Sequence, residues 1–193
     1  SIEEFNPDVI ILIDYPSFNM RIAEWAHKKG IKVYYYIAPK VWAWKEWRVK
    51  SIRKYVDKVY TIFPFETEYF KSKGIQTTFC GNPLVDDIEQ MRSKLPSREE
   101  FIAQNNLDNR PIVALLAGSR ISEIKENLPD MVALAKQFTE YQFVVTAVPW
   151  IDKSIYDSYL QGSVKYLCGQ TQQTLAHSEA AIVTSGTATL ETA

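Results

Sequence analysis

Three stretches of this chain carry residues able to do chemistry. In Ile112–Arg120, IVALLAGSR, an apolar run of branched residues empties into Gly118-Ser119-Arg120. A buried strand that ends in small residues delivers free backbone N–H groups to the end of a sheet. Arg120 adds a fixed cation with a planar donor fork, and the pair suits a phosphate or diphosphate. Ala180–Glu191, AAIVTSGTATLE, has the same logic. Gly186 lets the backbone approach an anion, Ser185 and Thr187 add hydroxyl donors, and Glu191 could accept hydrogen bonds from a ribose diol. Two such junctions in one half of a chain suggest a nucleotide site. Neither is a GxGxxG or a Walker A, so a dinucleotide or P-loop reading has no support. The third stretch is ILIDYPSFN, where Asp14 directly follows an apolar strand. Ligands of open parallel sheets bind beyond the carboxyl ends of the strands, and a carboxylate there can act as a base or orient a hydroxyl. Asp8 lies at the other end of that strand, about 20 Å away at 3.3 Å per residue.

Each residue also has a plainer reading. Asp14 is a turn or capping aspartate before Tyr15-Pro16. Arg120 is a surface arginine at a helix start, where its charge opposes the helix dipole. Glu123 caps the same helix, the favoured role, or bonds Ser119 or a sugar hydroxyl. Ser185–Thr187 is an ordinary N-cap and Glu191 a solvated helix residue. Tyr34–Trp47, YYYIAPKVWAWKEW, is dense in aromatics and runs into a basic helix. Its tryptophans either pack under a cleft or sit at headgroup depth while lysines and arginines meet lipid phosphate; Trp42, Trp44, Arg48, Lys50 and Arg53 form that candidate surface. His27 and His177 have no metal-ligand spacing and read as helix-surface or helix-end residues. Cys80 and Cys168 read as small buried residues at strand ends. No Ser-His-Asp set is legible.

The elements that must position these residues alternate. Strands are expected at Val9–Ile13, Lys32–Ala38, Lys58–Phe63, Thr77–Cys80, Ile112–Leu116, Gln142–Thr146, Val164–Leu167 and Ala180–Val183. Helices are expected at Ser17–Lys29, Glu46–Val56, Pro64–Lys73, Asn127–Phe138, Asp152–Leu160 and Thr171–His177. Asp86–Asn109 is polar and helical without a strand candidate. Continuous apolar strands alternating with helices predict parallel sheets covered on both faces. The fold class is therefore α/β, with a first domain over 1–86, a helical linker over 87–110 and a second domain over 111–193.

Composition narrows the function classes. The chain has 193 residues and is 46% hydrophobic, enough to bury a core. Its net charge of −1 argues against a general nucleic-acid binder. The balance is uneven: between Lys40 and Lys58 seven basic residues face Glu46 and Asp57, a net +5 that leaves −6 elsewhere. Two cysteines are too few for a disulfide framework and point to a reducing cytoplasm. No 18-residue apolar run predicts a membrane span. Because it opens at Ser1 close to a strand and stops just into an expected helix, the chain reads as a fragment.

PDVIILIDYPSFN (7–19), YIAPKVWAW (36–44), FPFE (63–66), GNPLVD (81–86), LLAGSRISEI (115–124) and SGTATLE (185–191) together resemble the lipid-A-disaccharide synthase family over nearly the whole chain. The resemblance implies a GT-B fold, two Rossmann-like domains facing a cleft, both truncated here. It implies an inverting transfer of 2,3-diacylglucosamine from its UDP carrier to the 6-hydroxyl of 2,3-diacylglucosamine 1-phosphate (lipid X). The products would be a β-1,6 disaccharide phosphate and UDP, with no metal and no cofactor. It further implies a peripheral enzyme on the cytoplasmic face of a Gram-negative inner membrane, possibly a homodimer at full length, with no nucleic-acid partner. Asp14 matches the family's essential aspartate and Arg120 its essential arginine. Gly118, Ser119 and Glu123 flank Arg120 in the same motif, and Ser185–Thr187 with Glu191 match the donor UDP region. Ser17 stands where members often carry a second aspartate, and Ala117 where proline is common. The family's glycine-rich loop would precede Ser1 and its domain-crossing segment would follow Ala193, so a fragment of this extent should lack part of both binding sites and be inactive alone. Other readings are another UDP-sugar transferase or epimerase of the same fold, or a non-catalytic binding module.

Overall fold

The structure, a computed structural model, describes residues 1–160, 162–184 and 186–192, apart from the side chains of Thr187 and Glu191. The chain divides into two compact units, residues 1–87 and 88–193. The first holds α1 (Ile2–Phe5), β1 (Val9–Ile13), α2 (Pro16–Lys28), β2 (Lys32–Tyr36), α3 (Arg48–Tyr55), β3 (Lys58–Thr61), α4 (Pro64–Ser72) and β4 (Thr77–Phe79). Its strands pair in parallel in the order β1-β2-β3-β4. Period-two alternation sends Val33 and Tyr35 of β2 into the core beside Leu12, Ala23, Ala26, Ile52, Val59 and Phe70. Ala23 and Ala26 lie three apart on α2, and their small side chains let that helix approach the sheet closely. Val49 and Ile52 of α3, with Val56 just beyond it, are buried as their helical spacing predicts.

Helix α5 (Pro83–Arg92) spans the boundary between the units. The second unit continues with α6 (Arg98–Gln104), β5 (Ile112–Leu116), α7 (Ile121–Ala135), β6 (Gln142–Ala147), α8 (Lys153–Asp157), β7 (Val164–Cys168), α9 (Thr171–Ala176), β8 (Ser178–Val183) and α10 (Thr187–Thr192). Its parallel order is β7-β6-β5-β8. Every residue of β5 and β6 is buried. Val113 and Leu115 face Ile124, Leu128 and Val132 of α7, whereas Ile112 and Val144 meet Phe101 of α6. Chain order reverses between β5 and β8, so a crevice opens past their carboxyl ends, where such sheets bind ligands.

Several expectations need correction. The first sheet is not covered on both faces: Ile11 and Ile13 of β1 are 59% and 57% exposed, because β1 alternates and α2 covers only the side that carries Leu12. Cys80 and Cys168 are exposed rather than buried, since both lie at the carboxyl edge of a sheet where the helices no longer cover the strand. β2 stops at Tyr36 instead of Ala38 because Ile37 turns left-handed at φ 54°. α7 starts six residues before Asn127, and Phe138 lies exposed beyond its end. A short helix, α1, precedes the first strand, capped by Ser1, whose hydroxyl accepts the Glu4 N–H.

A buried acid ties the aromatic loop to the first unit. Glu66 of the FPFE stretch accepts the Trp42 indole N–H at 3.1 Å with one oxygen and the Ile62 and Phe63 N–H groups at 3.3 and 3.2 Å with the other. Glu66→Ala leaves three donors without an acceptor and is expected to cost about 3 kcal/mol of unfolding free energy. Leu128→Ala opens the second core and is expected to cost about 2–5 kcal/mol. Urea denaturation of the two variants checks both: Glu66→Ala should lower the midpoint of the first unit and Leu128→Ala that of the second.

Candidate functional site

At the crevice between β5 and β8 the chain forms a concavity of about 610 Å³, with Gly118, Ser119, Arg120, Glu123, Thr146, Thr184 and Gly186 among its lining. Here the structure brings together the GSR junction and Gly186 of the SGT junction. Ser185 lies outside the described residues. So do the side chains of Thr187 and Glu191, though both residues belong to α10. Thr184 is anchored at the rim, its N–H and hydroxyl both donating to the Leu116 carbonyl at 3.1 and 3.2 Å.

The Ser119 and Arg120 N–H groups of the GSR junction are not free, contrary to expectation. The Glu123 carboxylate accepts the Ser119 N–H at 2.8 Å, the Arg120 N–H at 3.2 Å and Arg120 Nη1 at 2.8 Å. The cause is helical geometry. Arg120 is the N-cap of α7 and Glu123 its third residue, and an acid at that position reaches back to the cap. The Ser119 N–H, followed by desolvation working against it and then the Arg120 contacts, holds the Glu123 carboxyl below the usual glutamate range. Gly118 makes the fit possible. Its φ is +120°, and a Cβ there would lie 2.5 Å from Glu123 Cβ and 2.6 Å from Oε2. The guanidinium stays open to a ligand, on a side chain 76% exposed.

Asp14 sits at the carboxyl end of β1 in a strained backbone. Asp14 and Tyr15 are consecutive left-handed residues at φ 46° and 42°, conformations that non-glycine residues hold only when their surroundings impose them. Two bonds do so: the Asp14 carbonyl accepts the Tyr35 hydroxyl and Asn19 Nδ2, both at 2.7 Å. Burial pushes the Tyr35 phenol up to about 12, so it stays a donor at physiological pH. The capping role for Asp14 is not realised. The N-cap of α2 is Tyr15, without a side-chain bond, and the Asp14 carboxylate stays exposed.

The aromatic-basic surface is also in the first unit. Trp42, Trp44 and Trp47 are exposed rather than packed in the core. Lys45 Nζ lies 4.0 Å from the centre of the Trp44 ring and Arg48 Cζ 5.5 Å from that of Trp47. The Trp42 ring meets Phe65 edge-on at 4.9 Å, and Phe63 stacks on Phe65. Lys50 and Arg53 line a second concavity with Trp47 and Lys73, the last paired with Glu46 at 2.7 Å. His27 is exposed on α2, and His177 ends α9 with its Nε2 3.0 Å from the Pro96 carbonyl. Among the described residues no group of three or more His, Cys, Asp or Glu could hold a metal ion, and no helix is long and apolar enough to cross a membrane.

Sequence reasoning missed Trp150, Thr146 and Thr171 in the concavity, because they come from the ends of β6 and the start of α9 and nothing local marks them. It also missed Glu66, whose signal was the acid three residues after Phe63 at a proline-opened helix.

Solved structures of similar shape are UDP-GlcNAc 2-epimerases. The enzyme of Neisseria meningitidis, solved with UDP-GlcNAc bound, matches with a TM-score of 0.64 at 17% identity over 96% of this chain and 56% of its own. The enzyme of Methanocaldococcus jannaschii matches with a TM-score of 0.61 at 15% identity over 99% of this chain and 60% of its own. At such identities the likeness shows the fold alone, that of GT-B-like proteins built on parallel sheets. Sequence relatives are closer. Lipid-A-disaccharide synthase 1 of Legionella pneumophila (strain Lens) is 40% identical over 97% of this chain and 50% of that protein. Lipid-A-disaccharide synthase of Acidobacterium capsulatum is 37% identical over the whole chain and 52% of that protein. The chain thus spans about half the length of the curated relatives it matches. The family model described as lipid-A-disaccharide synthetase matches residues 1–193. The chain belongs to the lipid-A-disaccharide synthetase family.

Proposed function

We propose that this chain supplies the donor junctions and acceptor-side carboxylate of a lipid A glycosyltransferase. The enzyme would condense UDP-2,3-diacylglucosamine with lipid X to the β-1,6 disaccharide 1-phosphate and UDP. The observation that carries the reading is the family match over residues 1–193. The geometry supports it in three ways. Arg120 presents a guanidinium at the mouth of the switch-point concavity, where it would neutralise charge on the leaving diphosphate. Its partner Glu123 fixes the loop beneath it, so the cation needs little reorganisation. Asp14 is held at a strand end by bonds to its backbone, its N–H donating to the Tyr36 carbonyl and its own carbonyl accepting from Tyr35 and Asn19, which leaves its carboxylate to take or orient the acceptor hydroxyl proton. Ser185–Thr187 and Glu191 belong to the same reading, as the rest of the donor site.

The enzyme works on the cytoplasmic face of the inner membrane in this reading. Trp42, Trp44 and Trp47 enter the headgroup layer while Arg48, Lys50 and Arg53 meet anionic phosphate. The exposure of the three indoles and the basic face of α3 support that placement.

Three experiments test the proposal. Arg120→Ala weakens UDP binding to this chain roughly ten- to a hundredfold, the range of a lost charge-assisted bond. Gly118→Ala weakens it too, by dislodging Glu123 without touching any charge. Calorimetric titration with UDP checks both, and undiminished affinity in Arg120→Ala would sink the donor-site assignment. In a protein of the relatives' full length, Asp14→Ala lowers UDP release from the diacylated donor and lipid X by about 10²–10⁴-fold. Fast turnover there with plain UDP-N-acetylglucosamine and none with the diacylated donor would reject the lipid assignment. Reversing charge at Arg48, Lys50 and Arg53 together weakens sedimentation with phosphatidylglycerol vesicles at least tenfold at low salt. Equal binding at low and high salt would reject the docking surface.

A further inference from the structure

Among the described residues Trp150 is the one aromatic lining the concavity at the end of β5 and β8; the other walls are small, hydroxylated, aliphatic or charged. Trp150 lies beyond the end of β6. The indole N–H donates to the Ser119 carbonyl at 3.1 Å. That bond fixes the ring at the rim while leaving the residue 71% exposed. Among the described residues no aromatic ring or cation stacks on it. The other exposed tryptophans do have such neighbours: Trp42 meets Phe65, Trp44 carries Lys45 and Trp47 carries Arg48. A bare indole face lining the same concavity as a guanidinium suits a planar heterocycle.

We infer that the exposed face of Trp150 is the stacking surface for the nucleobase of the sugar nucleotide. The inference rests on the reading of this concavity as the donor site and adds to it the residue that holds the base. Ser119 links the two ends of the ligand. Its N–H is bound by Glu123, which holds Arg120, and its carbonyl is bound by Trp150. The base-stacking ring and the diphosphate cation are therefore anchored on adjacent residues of one loop. Both line one concavity, which suits ligands that carry a flat ring and a diphosphate together. Inorganic pyrophosphate would meet Arg120 but gain nothing from the ring.

The test compares UDP with inorganic pyrophosphate on the 193-residue chain and on Trp150→Ala, Trp150→Phe and Arg120→Ala, by calorimetric titration. Trp150→Ala should lose roughly tenfold or more in UDP affinity, the range of one base–aromatic stack, with pyrophosphate affinity unchanged. Trp150→Phe keeps a ring face without the indole N–H and should retain most of the UDP affinity. UDP should also quench tryptophan emission, since Trp150 is the only tryptophan in residues 88–193. Unchanged UDP affinity in Trp150→Ala, with Arg120→Ala weakened, overturns the stacking role and leaves the donor site standing. Equal losses for UDP and pyrophosphate in Trp150→Ala and Trp150→Phe overturn it as well, reducing the residue to a loop clamp. No UDP binding by the unmodified chain, with Arg120→Ala indistinguishable from it, overturns the donor-site reading and this inference with it.

Discussion

The tie between the Glu123 carboxylate and the loop before α7 organises the second unit. One oxygen gathers the Ser119 and Arg120 N–H groups and the other takes the Arg120 guanidinium. Helix α7 begins there because its first orphan donors are satisfied there. The loop can make the turn because Gly118 adopts φ +120° with no Cβ to collide with Glu123. Trp150 takes its position from the carbonyl of the same Ser119. An acid thus occupies N–H groups of the kind that hold phosphate in glycine-rich loops. The anion-binding capacity of the junction passes from its backbone to its one cation.

Other acids and one amide do similar work at the edges of both sheets. In the first unit Asp57 accepts the Val33 N–H at 2.7 Å while its own N–H donates to the Val33 carbonyl at 2.8 Å, which closes the lower edge between β2 and β3. Glu66 ties the loop that carries Trp42 to the start of α4. In the second unit the buried amide of Gln142 bonds the Asp108 and Arg110 carbonyls at 2.6 and 2.9 Å and receives the Asp108 N–H at 3.1 Å. Parallel sheets leave loops at both ends of every strand, and these loops must satisfy buried backbone groups without a hairpin partner. Polar side chains near helix starts and strand ends meet that need locally. The loops then become rigid enough to display Asp14, Arg120 and the exposed tryptophans.

Much of this architecture was legible from residue pattern. Seven of the eight strand starts fall at the expected residue, because runs such as IVALL and VIILI are too apolar to lie anywhere but in a sheet. Boundaries were less legible where a single backbone angle decides them. The left-handed Ile37 ends β2 early, and the Glu123 cap starts α7 early. Burial was misjudged where it depends on a neighbour: Ile11 and Ile13 are as apolar as Leu12, yet one side of β1 lacks a covering helix among the described residues. The functional junctions were visible because their residue types are local, whereas Trp150, Thr146 and Thr171 reach the same concavity from distant strands.

The residues by themselves determined the α/β class, the parallel strands and the family, since hydrophobic periodicity and ordered motifs are properties of the chain read in one dimension. Only the tertiary structure decided which donors a ligand can use. Glu123 and the Ser119 amide are four residues apart in sequence, and whether they bond depends on the turn Gly118 makes. Arg120, Trp150 and Gly186 share a concavity because the strand order β7-β6-β5-β8 sets their strand ends side by side. That order is a matter of three-dimensional pairing, which periodicity along the chain does not encode.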